Sequence, residues 1–279
     1  MARDTIKGQI ALIVLTVMAI ALTLGLSLSQ RVITDLEITQ EEEKSAQAFS
    51  AAEGGVEEAL RILDQGATVP EGYGSTIAGG LGVDNLDIQT QVVGANTEFV
   101  YPVSISPGDT VLVWLRDHDE DGNIDLNNGY NENTINVCWE VNAAVEVIYF
   151  SRDSLGNDDI GRFAFDPELS RRGGVDGNNF SDVGGSCAGL DTGATISDLT
   201  SGNVTPLFLV IRPFYEETRI GVSGGAEIPI QGHEVTSTGE IERGDEKVIS
   251  RRLKVFREWE SPPSYFYSAI TSRSDVTTN

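Results

Sequence analysis

The chain has 279 residues, of which 43 are acidic and 19 are basic, so its formal net charge is -24 at pH 7. A surface this acidic repels nucleic-acid phosphates and anionic lipid head groups, which excludes nucleic acid as a general partner. The length is sufficient for one large head or two small ones in addition to an anchor.

An uncharged apolar segment near the N-terminus predicts a membrane-spanning helix. No charged side chain occurs from Gln9 to Gln30, and a segment of this length matches the hydrocarbon core of a bilayer. Arg3 and Lys7 precede it, whereas acidic residues soon follow Arg31. The positive-inside rule therefore predicts a protein of the cytoplasmic membrane with its N-terminus inside and its C-terminus outside.

The residues before the apolar segment distinguish it from a secretory signal peptide, which is cleaved after small residues that follow the apolar stretch. No such site follows Gln30. Instead, the sequence Lys7-Gly8-Gln9-Ile10 places a basic residue and a glycine directly before the first apolar residue. This arrangement resembles the leader of type IV prepilins. The resemblance implies that a prepilin peptidase cuts after Gly8, methylates Gln9 and leaves the apolar helix in the mature protein.

The helical pattern continues beyond the membrane segment. Apolar residues recur at intervals of three and four, which predicts a helix with one buried face. Gly66 and Pro70 then supply a stop signal. A continuous helix from Gln9 to about Leu63 would be roughly 80 Å long. The residues of the predicted buried face are Phe49, Ala52, Val56, Leu60 and Leu63.

The segment 48–59 is similar to the alanine-rich, glutamate-containing segment that follows the anchor in PilX-type minor pilins. Together with the leader and the anchor, this resemblance covers about the first quarter of the chain. It implies a structural subunit of a type IV pilus or of a related secretion pseudopilus. Ile13 occupies the fifth mature position, where most major pilins carry glutamate, and some minor pilins share this departure.

The resemblance also implies the partners and the final location of the chain. The partners would be other pilin and minor pilin subunits, the prepilin peptidase, the inner-membrane assembly platform and, before assembly, membrane lipid. The final location would be an extracellular filament or the cell surface. The alternative interpretation is a calcium-stabilised surface adhesin that remains anchored in the membrane and does not enter filaments.

The remainder of the chain predicts an α+β fold in which the long N-terminal helix packs on a β-rich head, built as an antiparallel sheet or a sandwich. Short runs rich in valine, isoleucine and aromatic residues alternate with turn signals, as in β structure. The predicted parts are the leader 1–8, the membrane half of the helix 9–30, its exposed half 31–65, the head 66–269 and a flexible tail 270–279. The predicted strands are 87–93, 99–105, 110–116, 134–141, 144–150, 207–214, 232–239 and 247–256.

Two segments of the head suggest contact surfaces. The stretch 151–205 is long, polar and rich in glycine, asparagine and aspartate, which predicts a functional or mobile loop. The segment 249–257 is basic in an otherwise acidic protein. It predicts either a strand that meets an acidic neighbouring subunit or an edge strand whose cations pair within its own sheet.

An acidic segment after the third predicted strand matches the first nine positions of a calcium-binding loop. Oxygen donors occupy positions one, three, five and nine, and glycine occupies position six. The twelfth position is Asn128 rather than the bidentate glutamate, so we expect weak binding of Ca²⁺. His118 lies at the second position, which points away from the ion. The predicted ligands are Asp117, Asp119, Asp121, Asn123 and Asp125.

The two cysteines of the chain, Cys138 and Cys187, both lie in the part predicted to be outside the cell, where oxidising conditions favour one disulfide bond. The segment Gly185-Ser-Cys187-Ala-Gly189 has the spacing of a nucleophile elbow. It lacks the strand before and the helix after that this motif requires. We therefore predict a structural protein rather than an enzyme.

Overall fold

A computed structural model of the protein describes residues 4–118, 123–140, 142–173, 177–243 and 247–259, with side chains from residue 12 onward except at 243, 247 and 248. The described residues form three α-helices and, between the second helix and the first strand, a 3-10 turn at Ala78–Leu81. The helices are α1 (Asp4–Leu63), α2 (Tyr73–Ile77) and α3 (Leu169–Arg172).

Thirteen strands account for most of the remaining described residues. They are β1 (Asn85–Val93), β2 (Asn96–Val100), β3 (Val111–Trp114), β4 (Arg116–His118), β5 (Ile124–Gly129), β6 (Thr134–Trp139), β7 (Ala144–Arg152), β8 (Asp158–Phe165), β9 (Thr192–Ser197), β10 (Thr205–Phe214), β11 (Ile220–Ile228), β12 (Gly232–Arg243) and β13 (Lys247–Glu258). Their sheet orders are β1-β12-β13, β3-β10-β7-β8, β2-β11-β6-β9 and β4-β5. The α+β class predicted from the sequence is therefore confirmed.

The predicted long helix is also confirmed, because α1 runs without interruption for 60 residues and ends at Leu63. No proline occurs before Pro70, so every interior residue can donate its backbone hydrogen bond. The helix ends in a glycine cap. Gly66 has φ 68, and its N–H donates to the carbonyl oxygen of Leu63 at 3.1 Å.

The buried face of α1 differs in part from the prediction. Ala52 and Val56 are buried as expected, but Phe49 is 42% exposed and Leu60 is only half-buried. The buried stripe instead carries small residues, because the helix lies very close to its neighbour strand and large side chains would not fit. The stripe consists of Ala48, Ala51, Ala52, Gly55, Val56, Ala59 and Ile62.

The chain divides into two compact units. The first comprises Met1–Arg61, Val69–Gln89 and Thr236–Lys254, and the second comprises Ile62–Thr68, Thr90–Val235 and Val255–Asn279. The strands β1, β12 and β13 each contribute residues to both units.

Within the first unit, α1 packs directly on β12. A Cβ atom at Gly239 of β12 would lie 2.4 Å from the carbonyl oxygen of Ala48, and one at Gly55 of α1 would lie 2.3 Å from the Oγ of Ser237. Glycine is therefore required at position 239, where a side chain would meet the helix backbone, whereas a side chain at position 55 would force the hydroxyl of Ser237 to move. The predicted packing of the helix on a β-sheet is thus achieved by backbone contact rather than by large apolar side chains.

The second unit contains a β-sandwich. All six pairings within its two four-stranded sheets are antiparallel. Side chains of both sheets meet in one apolar core, in which Trp139 of β6 and Leu209 of β10 are fully buried. The indole of Trp139 donates to the carbonyl oxygen of Ala143 at 2.8 Å, so its only polar atom is satisfied.

The stretch 151–205, predicted as one long loop, contains several elements of secondary structure. It contains the end of β7, all of β8, the short helix α3 and all of β9. β8 pairs with β7 over eight residue pairs, and β9 pairs with β6 over six. The prediction failed because these strands carry aspartate, glycine, arginine and threonine, which are common in turns but also occur on exposed strands.

Candidate functional surfaces

The first half of α1 presents an apolar surface. In the isolated chain Leu12 is 69% exposed, Leu22 is 65% exposed and Ile38 is still 49% exposed. Soluble proteins rarely expose a contiguous apolar surface of this length. The helix is long and apolar enough to cross a membrane by length and composition. A long apolar helix of this kind suggests membrane association.

Polar groups within this surface are satisfied by the helix itself. The hydroxyl of Thr16 donates to the carbonyl oxygen of Leu12 at 2.8 Å, and that of Thr23 donates to Ile20 at 2.9 Å. Hydroxyls bonded in this way do not need water, which makes them compatible with an apolar surrounding.

The predicted processing site, Gly8 and Gln9, lies within the helical backbone of α1, near its first residue Asp4. The side chains of residues 4–11 are outside the described set. Glycine lowers helix stability by about 1 kcal/mol relative to alanine, so local opening at Gly8 is comparatively easy.

The predicted calcium loop connects β4 and β5. Asp117 lies directly opposite Asp125 in the antiparallel pairing of these strands. Asn123 precedes β5, while Asp119 and Asp121 are outside the described residues. The carboxylate of Asp125 accepts hydrogen bonds from the backbone N–H of Asn127 at 2.9 Å and from side-chain amides of the same turn. These hydrogen bonds hold the pKa of Asp125 below its usual value.

A buried arginine at the base of this hairpin was not singled out from the sequence. Arg116 is only 1% exposed. Its guanidinium donates to the carbonyl oxygens of Pro206 and Tyr130 and to the Oδ1 of Asn131, at 2.7 Å for Pro206 and Asn131. Burial lowers the pKa of Arg116, but its charge is retained because arginine deprotonates far above neutral pH. It fixes the hairpin to the sandwich and places a cation near Asp117 and Asp125.

His118 packs between aromatic rings. Its ring lies 4.4 Å from that of Trp114 and stacks on Trp259 at 4.9 Å, measured between centroids. His233 contacts the same Trp259 at 5.9 Å, and burial, followed by the nearby Arg257, lowers its pKa. Neither histidine belongs to a cluster of three or more metal-binding side chains among the described residues.

The disulfide prediction is confirmed. Cys138 of β6 is bonded to Cys187 in the segment before β9. The backbone of Cys187 is held by Leu190, which accepts from and donates to it in a tight turn. The sulfur atom of Cys187 is therefore part of a disulfide and is not a nucleophilic thiolate, which removes the nucleophile-elbow interpretation.

The segment that follows β8 is organised around a fully buried carboxylate. Asp166 accepts hydrogen bonds from Arg171 at 2.7 Å, from Asn178 at 2.7 Å and from the backbone N–H of Glu168 at 2.9 Å. Burial alone would raise the pKa of Asp166, but these hydrogen bonds outweigh burial and lower it. The guanidinium of Arg171 also lies over the ring of Tyr215, 4.6 Å from its centroid. The sequence contains no spacing signal that identifies this network.

A shallow cleft of about 420 Å³ lies in the first unit beside α1. Its carboxylate, Glu58, is already engaged by Arg61 and by the hydroxyl of Tyr73, which together lower the pKa of Glu58 to about 2. Hydrogen bonds within the chain therefore occupy the one acidic group that lines this cleft among the described residues. Its lining residues are Gly54, Glu58, Thr76, Ile77, Gly80 and Leu81.

Comparison of the chain with protein families, with curated proteins and with solved structures finds no match.

Proposed function

We propose that this chain is a structural subunit of a type IV pilus or of a related pseudopilus, of the minor pilin kind. In this proposal the prepilin peptidase cuts between Gly8 and Gln9, the apolar half of α1 waits in the cytoplasmic membrane, and the assembly platform moves it into a filament. The other pilin subunits contact it chiefly through α1.

The observation that carries the proposal is the continuity of α1. The same helix exposes apolar side chains from Leu12 to Ile38 and then packs on β12 through Ala48 and Gly55. A simple membrane anchor needs only the apolar part, about 20 residues. A 60-residue helix that also packs on a sheet connects the strand β12 to the membrane half of the same helix. A subunit that assembles through a bundle of such helices requires this connection.

The processing step is tested by substitution of Gly8. We expect the wild-type chain, produced together with a prepilin peptidase, to lose its first eight residues, because glycine before the apolar helix is the feature that resembles the leader. Gly8→Leu should keep its leader, since a large side chain replaces the glycine. The measurement is the N-terminal peptide by mass spectrometry, with and without active peptidase.

Gly25→Ala is the matched control for this experiment. Gly25 lies in the same helix, and a Cβ atom there meets no other atom within 4 Å, so the substitution leaves the leader and the packing unchanged. We expect Gly25→Ala to be processed like the wild type. Retention of Met1 or Ala2 by the wild-type chain in the presence of active peptidase would refute the proposal and favour the anchored adhesin.

We propose in addition that the β4–β5 loop binds Ca²⁺ weakly. The support is the direct opposition of Asp117 and Asp125, because like charges opposite each other on paired strands repel and a cation between them relieves the repulsion. Asp117, Asn123 and Asp125 offer the hard oxygen donors that Ca²⁺ prefers. Calcium would hold the hairpin closed.

This calcium proposal predicts a ligand-dependent stability. For a dissociation constant of about 1 mM, 10 mM Ca²⁺ should raise the free energy of unfolding by about 1.4 kcal/mol over EGTA. The measurement is thermal unfolding of the purified full-length chain in detergent, followed by tryptophan fluorescence. Asp117→Asn with Asp125→Asn should abolish the response, whereas Asp153→Asn, in another turn, should keep it. An equal melting temperature of the wild type in Ca²⁺ and in EGTA would refute calcium binding by this loop.

A further inference from the structure

The strand β13 concentrates positive charge in an acidic protein. Five of the 19 basic residues lie between positions 247 and 257. β13 is also the outer strand of its sheet, because the strand order is β1-β12-β13 and no further strand follows it among the described residues. A cationic edge strand is a common protection against unwanted strand pairing. The same basic side chains of β13 can also bind an acidic partner.

Alternation along β13 directs two neighbouring arginines to opposite faces of the sheet. The Nε of Arg251 donates to the Oγ of Ser45 on α1 at 2.8 Å, so Arg251 lies on the helix side. The Nε of Arg252 donates to Thr238 of β12 at 3.2 Å, on the other side. Both arginines are exposed, and these hydrogen bonds go to neutral hydroxyls. Arg251 is therefore a solvent-accessible cation beside α1.

The complementary charge is carried by α1 itself. Five exposed carboxylates lie on the N-terminal side of Ser45, ahead of Lys44. Lys44 is directed to the end of β12, where its Nζ donates to the carbonyl oxygen of Glu242 at 3.1 Å. The acidic run consists of Asp35, Glu37, Glu41, Glu42 and Glu43.

The two charged surfaces are offset along the helix axis. With a rise of 1.5 Å per residue, residues 35 to 43 lie about 3–15 Å before the level of Ser45. A second copy that lies parallel to the first and is displaced outward by this distance brings its acidic run beside Arg251. The contact joins different surfaces of the two copies, so each copy can bind one neighbour on each side. Such heterologous contacts, when they do not close into a ring, generate open helical filaments.

We infer that Arg251 on the helix side of β13 binds the acidic run of α1 in a second, axially displaced copy of this chain. This contact rests on the proposed filament function and specifies the charge pair that sets the stagger of neighbours. Two copies level in the membrane would bring Arg251 only to the end of the neighbour's acidic run, near Glu43, whereas an outward displacement centres Arg251 on the run. The contact therefore belongs to the assembled state.

An anionic membrane surface is the less favourable partner for Arg251. Ser45 lies about 22 Å along the helix from Gln30, the last residue of the uncharged segment. That distance exceeds the Debye length of about 8 Å at physiological ionic strength. The net charge of -24 further opposes approach to anionic lipid.

The test uses two complementary charge-reversal variants that can be produced separately or together. The β13 variant carries Arg251→Glu, and the α1 variant carries Glu42→Arg and Glu43→Arg. Each variant alone creates like charges between copies, so we expect its amount in sheared filaments, relative to its membrane pool, to fall at least about tenfold. Co-expression of the two variants should restore the amount of each variant in the sheared filaments. The glutamate introduced into β13 then meets the introduced arginines, and the native Arg251 of the α1 variant meets the native carboxylates of the β13 variant.

Arg252→Glu is the matched control, since it makes the same charge change on the opposite face of the same strand, and it should enter filaments at the wild-type level. Full incorporation of the β13 variant alone, or failure of the two variants to restore each other while both accumulate in the membrane, would overturn this contact and leave the proposed function intact. Absence of the wild-type chain from filaments would instead overturn the proposed function, and this contact with it.

Discussion

Removal of the disulfide bond should lower the free energy of unfolding of the second unit by about 3–4 kcal/mol, because it releases a large loop in the unfolded chain. Cys138 and Cys187 are separated by 49 positions. Cys138 is fully buried in β6, so alanine is the appropriate replacement, since serine would add a buried hydroxyl. The variant is Cys138→Ala with Cys187→Ala.

The measurement is urea unfolding of the full-length chain in detergent, followed by tryptophan fluorescence. Trp114, Trp139 and Trp259 all belong to the second unit, so the signal reports on the unit that contains the disulfide. Dithiothreitol should destabilise the wild type by a similar amount and leave the double variant unchanged. A loss below about 1 kcal/mol in both comparisons would mean that the bond does not constrain this unit.

Asp166→Asn should lower the free energy of unfolding by about 2–4 kcal/mol at neutral pH, because it leaves the partly buried cation of Arg171 without its carboxylate. The side chain of Asp166 is fully buried and that of Arg171 is 23% exposed. Asp158→Asn removes one partner of an exposed ion pair with Arg152 and should cost less than about 1 kcal/mol. The same fluorescence measurement applies.

The pH dependence of this effect has a defined sign. The pKa of Asp166 is lower in the folded chain than in the unfolded chain, so its stabilisation is complete above the usual aspartate value of about 3.9 and is lost as the pH falls through the folded value. The difference between the wild type and Asp166→Asn should therefore be largest near neutral pH and should shrink below about pH 4. A difference that stays constant down to about pH 2 would show that Asp166 acts by packing alone.

The features that could be predicted from the sequence depend on local patterns. The helix from Gln9 to Leu63 follows from continuous apolar or periodic spacing without proline, and strands such as β7 and β10 follow from dense runs of valine, isoleucine and phenylalanine. The disulfide follows from having only two cysteines. Each of these signals lies within a short stretch of chain or within the composition.

The features that were missed depend on contacts between distant residues. β11 contains Ser223-Gly-Gly225, and a Cβ atom at Gly224 would lie 2.4 Å from the hydroxyl oxygen of Tyr130 and 2.5–2.7 Å from its ring. In the sequence, a pair of glycines indicates a turn. In the fold, Gly224 lies within a strand and allows Tyr130 to pack closely against its backbone. The buried face of α1 was likewise shifted from Phe49 toward alanines, because the approach of β12 decides which residues fit.

The buried charges could not have been found by spacing. Arg116 and Asp166 are tied to carbonyl, amide and guanidinium groups up to 90 positions away in sequence. In the sequence both resemble ordinary surface charges, which is the usual state of arginine and aspartate. Only the fold reveals that they stabilise the hairpin β4–β5 and the segment after β8.

The proposed processing at Gly8 and assembly through α1 are tested most directly by mass spectrometry of the N-terminal peptide from sheared surface filaments. We expect a peptide that begins at methylated Gln9 in the filament fraction. An intact Met1 or Ala2 start, found only in the membrane fraction, would contradict it and identify the chain as a membrane-anchored surface protein.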